Sequence, residues 1–354
     1  MEIRVEKAKT LKEKPDFKNL GFGKYFTDHM FIMDWSSEKG WHDAKIVPFG
    51  YIPIHPASTV LHYGAEIFEG MKAYRTNDGY SIFRPFENAK RFNNSAERMC
   101  LPQIPEEDFV NAITSLINLD YEWVPNAEGS SLYIRPFEFG NDESLGVHAV
   151  HHATFVIILS PVGSYYAEGL NPVKITIESE DVRAVRGGTG YAKCGGNYAA
   201  SMRAGQRAEE KGFTQVLWLD GVERKYIEEV GSMNVMFEIG DEIVTPKLTG
   251  SVLPGITRKS CIEILKGWGY TVSERLLSVD ELIAAAESGN LKEAWGTGTA
   301  AVVSPIGHLC YRDKDHVVSG NKIGALTQRL YDELTGIQWG KKEDKRGWCY
   351  KVKV

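Results

Sequence analysis

Near the middle of the chain, a short stretch is crowded with residues that interrupt helices and strands. These residues are Pro161, Gly163, Gly169, Asn171 and Pro172. Because neither proline nor glycine readily continues a regular element, the stretch predicts a boundary between two domains. A chain of 354 residues also exceeds what one hydrophobic core usually supports. We therefore predict an N-terminal domain over residues 1–165, a linker over 166–172 and a C-terminal domain over 173–354.

Helix and strand patterns occur together on both sides of this boundary. Before it, the sequence predicts a hairpin turn at 77–79, a strand over 80–84, helices over 87–99 and 105–120, and strands over 131–139 and 154–159. After it, the sequence predicts strands over 173–177, 215–219, 234–239 and 242–244, and helices over 198–211, 259–266, 278–287 and 322–334. The elements follow no fixed period, so a repeat architecture is not indicated. The predicted fold class is α/β, in a mixed α+β arrangement.

Charge and composition exclude several classes of protein. The formal net charge is −6 and no basic stripe stands out, which argues against a nucleic-acid partner. No apolar run approaches the roughly 20 residues that cross a bilayer, and the charged residues 1–18 lack the apolar core of a signal peptide. The five cysteines are odd in number and form no Cys-x-x-Cys pair, as in proteins with reduced thiols. We therefore expect a cytoplasmic protein with no membrane or nucleic-acid partner.

The segment 187–198 places a single lysine, Lys193, among small residues with a glycine pair on each side. No other charge lies between Arg186 and Arg203. Glycine lets a backbone approach a flat ligand closely, and a desolvated lysine loses its proton more easily, as a nucleophilic amine must. From composition alone, a flexible loop with an ordinary surface lysine stays the main alternative.

Two further glycine-bearing stretches lie in the second half of the chain. Residues 253–258 lead into an amphipathic helix, and the amides at a helix N-terminus can bind a phosphate. Residues 295–300 turn out of a strand through small residues. Each also fits a simpler interpretation, a plain helix cap and a plain β-bulge. Neither matches a Walker motif or the Gly-x-Gly-x-x-Gly of a dinucleotide fold, so those classes of nucleotide site are not predicted.

Acidic and histidine clusters suggest two further kinds of site. A buried carboxylate at Glu228 or Glu229 could keep a pyridinium nitrogen protonated, although a solvated strand end is the expected role of Glu228. His148, His151 and His152 lie close together, but no carboxylate or cysteine stands at ligand spacing from them, so no metal is expected. The chain also has no Gly-x-Ser-x-Gly motif, which argues against a hydrolase.

Six short segments follow one another along nearly the whole chain. They are 22–24 with 26–30, Phe68-Glu69-Gly70-Met71-Lys72-Ala73, Ser131-Leu132-Tyr133-Ile134-Arg135-Pro136, Gly195-Gly196-Asn197-Tyr198, Glu229-Val230-Gly231-Ser232-Met233-Asn234, and Leu253-Pro254-Gly255. In sequence and in order, they resemble the signatures of the branched-chain amino acid aminotransferases. That family consists of enzymes of fold type IV that use pyridoxal 5′-phosphate.

The resemblance implies a two-domain fold and a set of cofactor contacts. The smaller N-terminal domain would be α/β, and the larger C-terminal domain an α/β pseudo-barrel. Lys193 would be the catalytic residue and form the Schiff base with the cofactor, Glu229 would pair with the pyridine nitrogen, and Tyr198 would bond the phenolic oxygen. The phosphate would be bound by Arg91, the amides of Ile256 and Thr257, and the turn at Gly298 and Thr299. A solvated helix arginine is the alternative for Arg91.

The resemblance also implies the substrate contacts. The apolar pocket would contain Phe26, Tyr63, Phe68, Tyr133 and Tyr165, with Ser232 beside it. The backbone of Thr299 and Ala300 would bind the α-carboxylate, and Arg135 would bind the side-chain carboxylate of glutamate. A structural salt bridge is the alternative for Arg135. Leu145 and Val147 would reach the pocket from a partner subunit, which implies a homodimer.

The predicted function is reversible transfer of the amino group of leucine, isoleucine or valine to 2-oxoglutarate, which yields branched 2-oxo acids and L-glutamate. Within the fold, the alternatives are a D-amino acid transaminase and an aminodeoxychorismate lyase. An alternative of another class is a non-catalytic phosphate- or nucleotide-binding module. Ala301 and Ser304 stand where some animal members carry a redox-sensitive cysteine pair, so that regulation is not expected.

Overall fold

The computed structural model describes residues 1–163 and 170–354, which form two compact units. Within the described residues, the first unit comprises 1–163, 192–195 and 337–354, and the second comprises 170–191 and 196–336. Each unit therefore takes in more than one stretch of the chain. The proposed division into domains 1–165 and 173–354 stays a prediction, and most of the predicted linker lies outside the described residues.

Eighteen strands are present in the described residues. In chain order they are β1 (Arg4–Val5), β2 (His29–Ser36), β3 (Gly40–Pro48), β4 (Glu66–Phe68), β5 (Met71–Thr76), β6 (Gly79–Phe83), β7 (Ser131–Gly140), β8 (His152–Val162), β9 (Val173–Ile177), β10 (Gln215–Leu219), β11 (Ile227–Val230), β12 (Asn234–Ile239), β13 (Glu242–Pro246), β14 (Thr271–Arg275), β15 (Leu291–Gly298), β16 (Val302–Tyr311), β17 (Lys314–Val317) and β18 (Cys349–Lys353).

The same part of the chain forms eight α-helices. They are α1 (Thr59–Tyr63), α2 (Pro85–Met99), α3 (Glu106–Leu119), α4 (Gly195–Ala199), α5 (Met202–Glu210), α6 (Ile256–Gly267), α7 (Val279–Glu287) and α8 (Ala325–Gln338). Short 3₁₀ turns lie at Tyr121–Trp123 and Ser319–Asn321. None of the helices in the described ranges is both long and apolar enough to cross a membrane.

The first unit contains a nine-stranded sheet in the order β1-β3-β2-β8-β7-β5-β6-β18, with β4 paired to β7. All its pairs are antiparallel except β1 with β3. Helices α2 and α3 cover one face of this sheet. Their contact is aromatic: Phe92 of α2 and Phe109 of α3 lie 5.5 and 5.7 Å from the ring of Phe155 in β8. Ala89, Phe92 and Ala96 recur at helical spacing and are all buried, so they mark the face of α2 that packs on the sheet.

The second unit contains the other nine-stranded sheet, in the order β11-β10-β9-β16-β15-β12-β13-β14, with β17 paired to β16. This sheet mixes parallel and antiparallel pairs: β9 is parallel to both β10 and β16, while β12 is antiparallel to β13 and β15. The predicted hairpin on either side of Gly240 and Asp241 is the β12–β13 pair. Two mixed sheets with helices confirm the predicted α/β fold class.

One predicted helix differs from the structure. The sequence predicts a single helix over 198–211, whereas the structure ends α4 at Ala199 and begins α5 at Met202. The Ser201 hydroxyl donates to the Tyr198 carbonyl at 2.6 Å and occupies an acceptor of the helix. A serine hydroxyl can replace a backbone amide as the partner of a helix carbonyl, and for this reason serine disfavours the interior of a helix.

Candidate active site

The segment that carries Lys193 is held in the first unit by main-chain hydrogen bonds. The Lys193 amide donates to Ser95 Oγ of α2 at 2.9 Å. The Lys193 carbonyl accepts from the Phe68 amide of β4, also at 2.9 Å. The next residue, Cys194, is buried in the core of the same unit. The lysine side chain therefore starts from a fixed main chain, as a positioned amine requires.

Glu66 provides a third attachment and explains one of the flanking glycines. The Gly195 amide donates to Glu66 Oε1. A Cβ atom at position 195 would overlap that oxygen, so glycine alone permits this approach. Burial raises the pKa of Glu66, while the Gly195 amide and the charges of Arg135 and Lys193 oppose the increase. Glu66 thus binds the main chain of the lysine segment and also interacts with the charges of Arg135 and Lys193.

Two cations of the first unit lie close to the Phe68 ring. Lys193 Nζ lies 4.6 Å from the ring centroid and the Arg135 guanidinium 4.7 Å from it. The Arg135 Nη2 also donates to the Tyr133 hydroxyl at 3.1 Å. The structure therefore brings together four predicted site residues, Lys193, Phe68, Tyr133 and Arg135. An apolar ring beside a guanidinium can accept either an aliphatic or an acidic side chain.

Arg91, predicted at the phosphate, is buried against a carboxylate. Its Nε donates to Glu69 Oε1 at 2.7 Å and its Nη2 to Oε2 at 2.9 Å, and Asn88 Nδ2 donates to Oε2 at 2.8 Å. Burial acts to raise the pKa of Glu69, but Arg91, Lys193 and Asn88 outweigh it and lower the value. The solvated arginine considered from the sequence is wrong, because the side chain is buried. A phosphate contact for Arg91 stays a prediction.

Lys72 is the second lysine of this unit with an unusual environment. It lies on β5, directly opposite Tyr133 of β7. Burial lowers its pKa to about 8, and a lowered pKa favours a nucleophilic amine. The assignment of the reactive lysine therefore needs a direct chemical test of both positions.

In the second unit, Glu229 is a buried carboxylate that contacts a guanidinium and a backbone amide. It lies in β11, with Oε2 3.2 Å from the Nε of Arg183. Its Oε1 accepts from the Leu253 amide at 2.7 Å. A guanidinium and an amide donor both favour the ionised carboxylate. This environment suits a group that must hold a proton on a heterocyclic nitrogen.

The prediction of a solvated strand end at Glu228 is wrong. Glu228 is also buried in β11, and its Oε1 accepts from the Ser251 hydroxyl. Burial raises its pKa, with Ser251 and Arg183 acting against the increase and Glu229 adding to it. Sequence periodicity did not show this because β11 is covered on both faces and both acids are enclosed.

The segment before α6 is shaped by Asn234. Its Nδ2 donates to the Leu253 carbonyl at 2.9 Å, and a Cβ at Gly255 would overlap its Oδ1. Gly255 is the N-cap of α6, so the amides of Ile256 and Thr257 lie in the first helical turn. The first amides of a helix have no partner within the helix and can bind an anion. Phosphate contacts for the Ile256 and Thr257 amides stay a prediction.

The second turn of this unit links β15 to β16 through Thr299 and Ala300. A Cβ at Gly298 would lie 3.0 Å from the Met233 side chain, which follows Ser232. The turns that carry Ser232 and Thr299 are therefore packed against each other. Val302, which follows, has φ of 63°, a costly conformation for a β-branched residue. Such strain persists only where the surroundings impose it.

Five further predicted residues lie in the described part of the chain. The Phe26 ring stacks on Phe49 at 5.0 Å, and the Tyr63 hydroxyl donates to the Leu145 carbonyl. Leu145 and Val147 are 67% and 81% exposed. Tyr198 is half-buried in α4. Tyr165 lies outside the described residues.

Three residues that build these surroundings were absent from the sequence prediction: Glu66, Ser95 and Arg183. Glu66 and Ser95 lie 129 and 98 residues from their partners in the lysine segment. No local periodicity signals such contacts, because they depend on how the strands and helices pack. Only the glycine at 195 was a visible sign that something approaches the backbone closely.

A model of the family described as Amino-transferase class IV matches residues 66–309. The chain belongs to the class IV aminotransferases. It is 54% identical over 351 residues to branched-chain-amino-acid aminotransferase 2 of Bacillus subtilis strain 168, with 99% of this chain and 97% of that protein covered. The family membership implied by the sequence resemblance is confirmed.

Solved structures of class IV aminotransferases agree. The crystal structure of the Escherichia coli branched-chain amino acid aminotransferase matches with a TM-score of 0.75 and 28% identity, over 90% of this chain and 98% of that one. A second branched-chain amino acid aminotransferase, from T.th. and solved with pyridoxamine 5′-phosphate, matches with a TM-score of 0.74 and 29% identity, over 90% and 97%.

Proposed function

We propose that this class IV aminotransferase uses pyridoxal 5′-phosphate to move the amino group of leucine, isoleucine or valine to 2-oxoglutarate. The near full-length similarity to branched-chain-amino-acid aminotransferase 2 of Bacillus subtilis supports the substrate class. The observation that carries the chemistry is the lysine segment, which is fixed by Ser95, Phe68 and Glu66. The D-amino acid transaminase, lyase and binding-module alternatives have no observation in their favour.

The donor set fits this cofactor. Lys193 offers a primary amine on a fixed main chain, and Glu229 is a buried carboxylate paired with Arg183. Gly255 lets the Asn234 side chain pack against the start of α6, whose first amides can bind a phosphate. When bound, the cofactor supplies an electron sink for the electrons released at the substrate Cα.

The residues of this chain would supply positioning and proton transfer. Lys193 Nζ would hold the cofactor between turnovers and, as a free amine, would carry the proton removed from the substrate Cα. Glu229 would keep a proton on the pyridine nitrogen, and Tyr198 would donate to the phenolic oxygen. Arg91, Ile256, Thr257, Gly298 and Thr299 are assigned to the phosphate.

Substrate recognition follows from the Phe68 surroundings. Phe68 and Tyr133 offer an apolar surface to a branched side chain, with Phe26, Tyr63, Tyr165 and Ser232 as further contacts. The Arg135 guanidinium, beside both rings, would bind the distal carboxylate of glutamate or 2-oxoglutarate. Thr299 and Ala300 are assigned to the α-carboxylate.

We further propose a homodimer and a cytoplasmic location. Leu145 and Val147 are large apolar side chains exposed on one loop, and a partner subunit would bury them. All five cysteines are free, as is usual in a reducing compartment.

A lysine-specific test decides the central assignment. The purified enzyme should absorb visible light, and Lys193→Ala should abolish this absorbance and lower kcat with leucine about 10³-fold or more, since both nucleophile and base are lost. Borohydride reduction of the wild-type enzyme followed by peptide mapping should place the label on Lys193. Label on Lys72 instead would overturn the assignment, and turnover of D-leucine in place of L-leucine would overturn the substrate proposal.

A further inference from the structure

A loop of the first unit, residues 141–151, carries metal-ligating side chains that have no role in the proposed reaction. One ligand atom from each of Asp142, His148 and His151 lies within 4.8 Å of the other two. The sequence argued against a metal because no carboxylate stood at ligand spacing from the histidines. The fold brings Asp142 to them. We propose that Asp142, His148 and His151 form a binding site for a zinc ion.

Asp142 is the fixed member of this site. Its side chain is buried, and both carboxylate oxygens accept from the His151 amide at 3.1 Å. The Asp142 carbonyl accepts from the Thr59 amide at 3.2 Å. Each carboxylate oxygen has two lone pairs, so these bonds leave acceptor capacity for a cation. A ligand fixed in advance lowers the entropic cost of binding the metal.

His148 has the tautomer that a metal ligand needs. Its Nδ1 lies 2.8 Å from the Ala149 carbonyl oxygen. A carbonyl only accepts, so Nδ1 carries a proton, and Nε2 is the nitrogen left to bind a metal. Metal-bound histidines typically donate their second ring nitrogen to a carbonyl in this way, which fixes the ring orientation.

His151 brings the second imidazole to the same place. Its ring centroid lies 5.0 Å from that of His148, and its Nδ1 lies 3.6 Å from Asp142 Oδ1. Its neighbour His152 is also close, with Nδ1 3.3 Å from the same oxygen. Both side chains are more than half exposed and can rotate. The cluster therefore pairs a fixed carboxylate with one imidazole oriented by the Ala149 carbonyl and one exposed imidazole that can rotate.

The donor set and spacing favour zinc. Around a tetrahedral zinc ion, ligand atoms at about 2.1 Å from the metal are about 3.4 Å apart. Rotation of the exposed His151 side chain can close the present separation. Two imidazoles and a carboxylate suit zinc among the common divalent ions, and solvent can complete the coordination at an exposed site.

The position of the ligands gives the site a structural consequence. Asp142 and His148 lie on either side of Leu145 and Val147 in the chain. A zinc ion bound to both would close the loop 142–148 and reduce its freedom of movement. Zinc binding itself does not depend on the proposed reaction.

Calorimetric titration of the untagged holoenzyme with zinc chloride, in buffer without phosphate, tests the site. We expect the wild type to bind one more zinc ion per chain than the His148→Ala and His151→Ala variants. His148→Ala and His151→Ala should each weaken binding by about tenfold or more, since loss of even an outer-shell partner commonly has this effect. Titration with cobalt should produce visible absorption bands that both variants lose.

The matched control is His42→Ala. His42 also lies beside a carboxylate, with Nδ1 3.1 Å from Asp43 Oδ2, but no second histidine joins that pair in the described residues. Its removal should leave zinc affinity unchanged. Less than one zinc per chain, unchanged affinity in His148→Ala or His151→Ala, or an equal loss in His42→Ala would each overturn the proposal. Circular dichroism of every variant shows whether the fold is retained.

Discussion

The guanidinium of Arg135 lies over the Phe68 ring and donates to the Tyr133 hydroxyl. No carboxylate of the described residues lies within ion-pair distance of it, although the charge of Glu66 acts on it from farther away. Its Nε is buried and has no hydrogen-bond partner there. The structural salt bridge considered from the sequence is therefore absent from the described part of the chain. A buried donor without a partner can bind a carboxylate from the substrate.

We predict that Arg135→Met will lower kcat/KM for 2-oxoglutarate tens-fold or more, because a lost hydrogen-bonded charge pair costs roughly 2–5 kcal/mol. The value for 4-methyl-2-oxopentanoate should change only a few-fold, since the aromatic surface of Phe68 remains. Steady-state kinetics with each keto acid measures the ratio. Equal losses for both would show that Arg135 acts structurally.

Arg75→Met provides the matched control for this substitution. Arg75 also lies over a tyrosine ring in the first unit, 4.1 Å from the centroid of Tyr121, and it donates to the Tyr121 and Val124 carbonyls. Its loss should affect both keto acids equally. If Arg75→Met changed the preference between the two keto acids as strongly as Arg135→Met does, the cause would be a general effect on the sheet.

At the scale of elements, β7 has two faces with different roles. Period-two alternation places Tyr133 and Arg135 on one face and Leu132 and Ile134 on the other, where they join the core. Glu138 shares the parity of the core residues and is fully buried. Its strand neighbours are Phe155 and Ile67, and neither carboxyl oxygen has a partner in the described residues. Burial raises the pKa of Glu138 well above its ordinary value of 4.5.

This pKa shift predicts a pH-dependent effect of Glu138→Gln. When folding raises the pKa of a carboxyl, that group contributes stability at pH values below its pKa in the unfolded chain. The contribution is lost as the pH rises through its pKa in the folded protein. The neutral amide titrates nowhere. At pH 8 the variant should therefore have a higher unfolding temperature than the wild type, which corresponds to a gain of about 1–3 kcal/mol in the free energy of unfolding. This gain should shrink towards pH 5.

Thermal unfolding across this pH range measures the effect, with Glu107→Gln as the control. Glu107 is exposed in α3, so its substitution should change the unfolding temperature little at any pH. A gain for Glu138→Gln that is equal at pH 5 and pH 8 would mean that the carboxyl is not the titrating group.

Elements with a strong local signal could be predicted from the sequence. The capping box at Ser278 opens α7, where the Ser278 hydroxyl accepts from the Glu281 amide at 3.1 Å. The β5–β6 hairpin follows from the turn at 77–79. The β2–β3 hairpin was not predicted, because an aromatic-rich segment alone does not give a register. The buried state of Glu228 depends on neighbouring strands that no local pattern describes.

At the scale of the whole molecule, the predicted site residues belong to both units, Lys193 to the first and Glu229 to the second. The lysine segment 192–195 belongs to the first unit, although the chain on both sides of it belongs to the second. The roles of Lys193 and Glu229 stay predictions, and the structure gives the first a fixed main chain and the second a buried ion pair with Arg183. Their supporting residues come from distant parts of the chain, so motif spacing could not reveal them.

Exposed apolar residues in the first unit motivate the dimer. Leu145 and Val147 are accompanied by Tyr51 and Leu61, which are also exposed, and by Tyr63, whose hydroxyl donates to the Leu145 carbonyl. Large apolar side chains that are exposed together often mark an interface. If the loop completes the pocket of a partner subunit, each active site needs residues from two chains.

Mixed dimers test this arrangement. Lys193→Ala alone should be inactive, and Leu145→Asp combined with Val147→Asp should also be nearly inactive, because charges would enter an apolar pocket. Mixing the two variants by unfolding and refolding should restore about a quarter of wild-type activity, since half of random dimers are mixed and each has one intact site. Leucine turnover before and after mixing gives the result, with tagged subunits used to isolate the mixed dimer. No recovery in isolated mixed dimers would show that each chain contains a complete site and that the loop does not serve its partner.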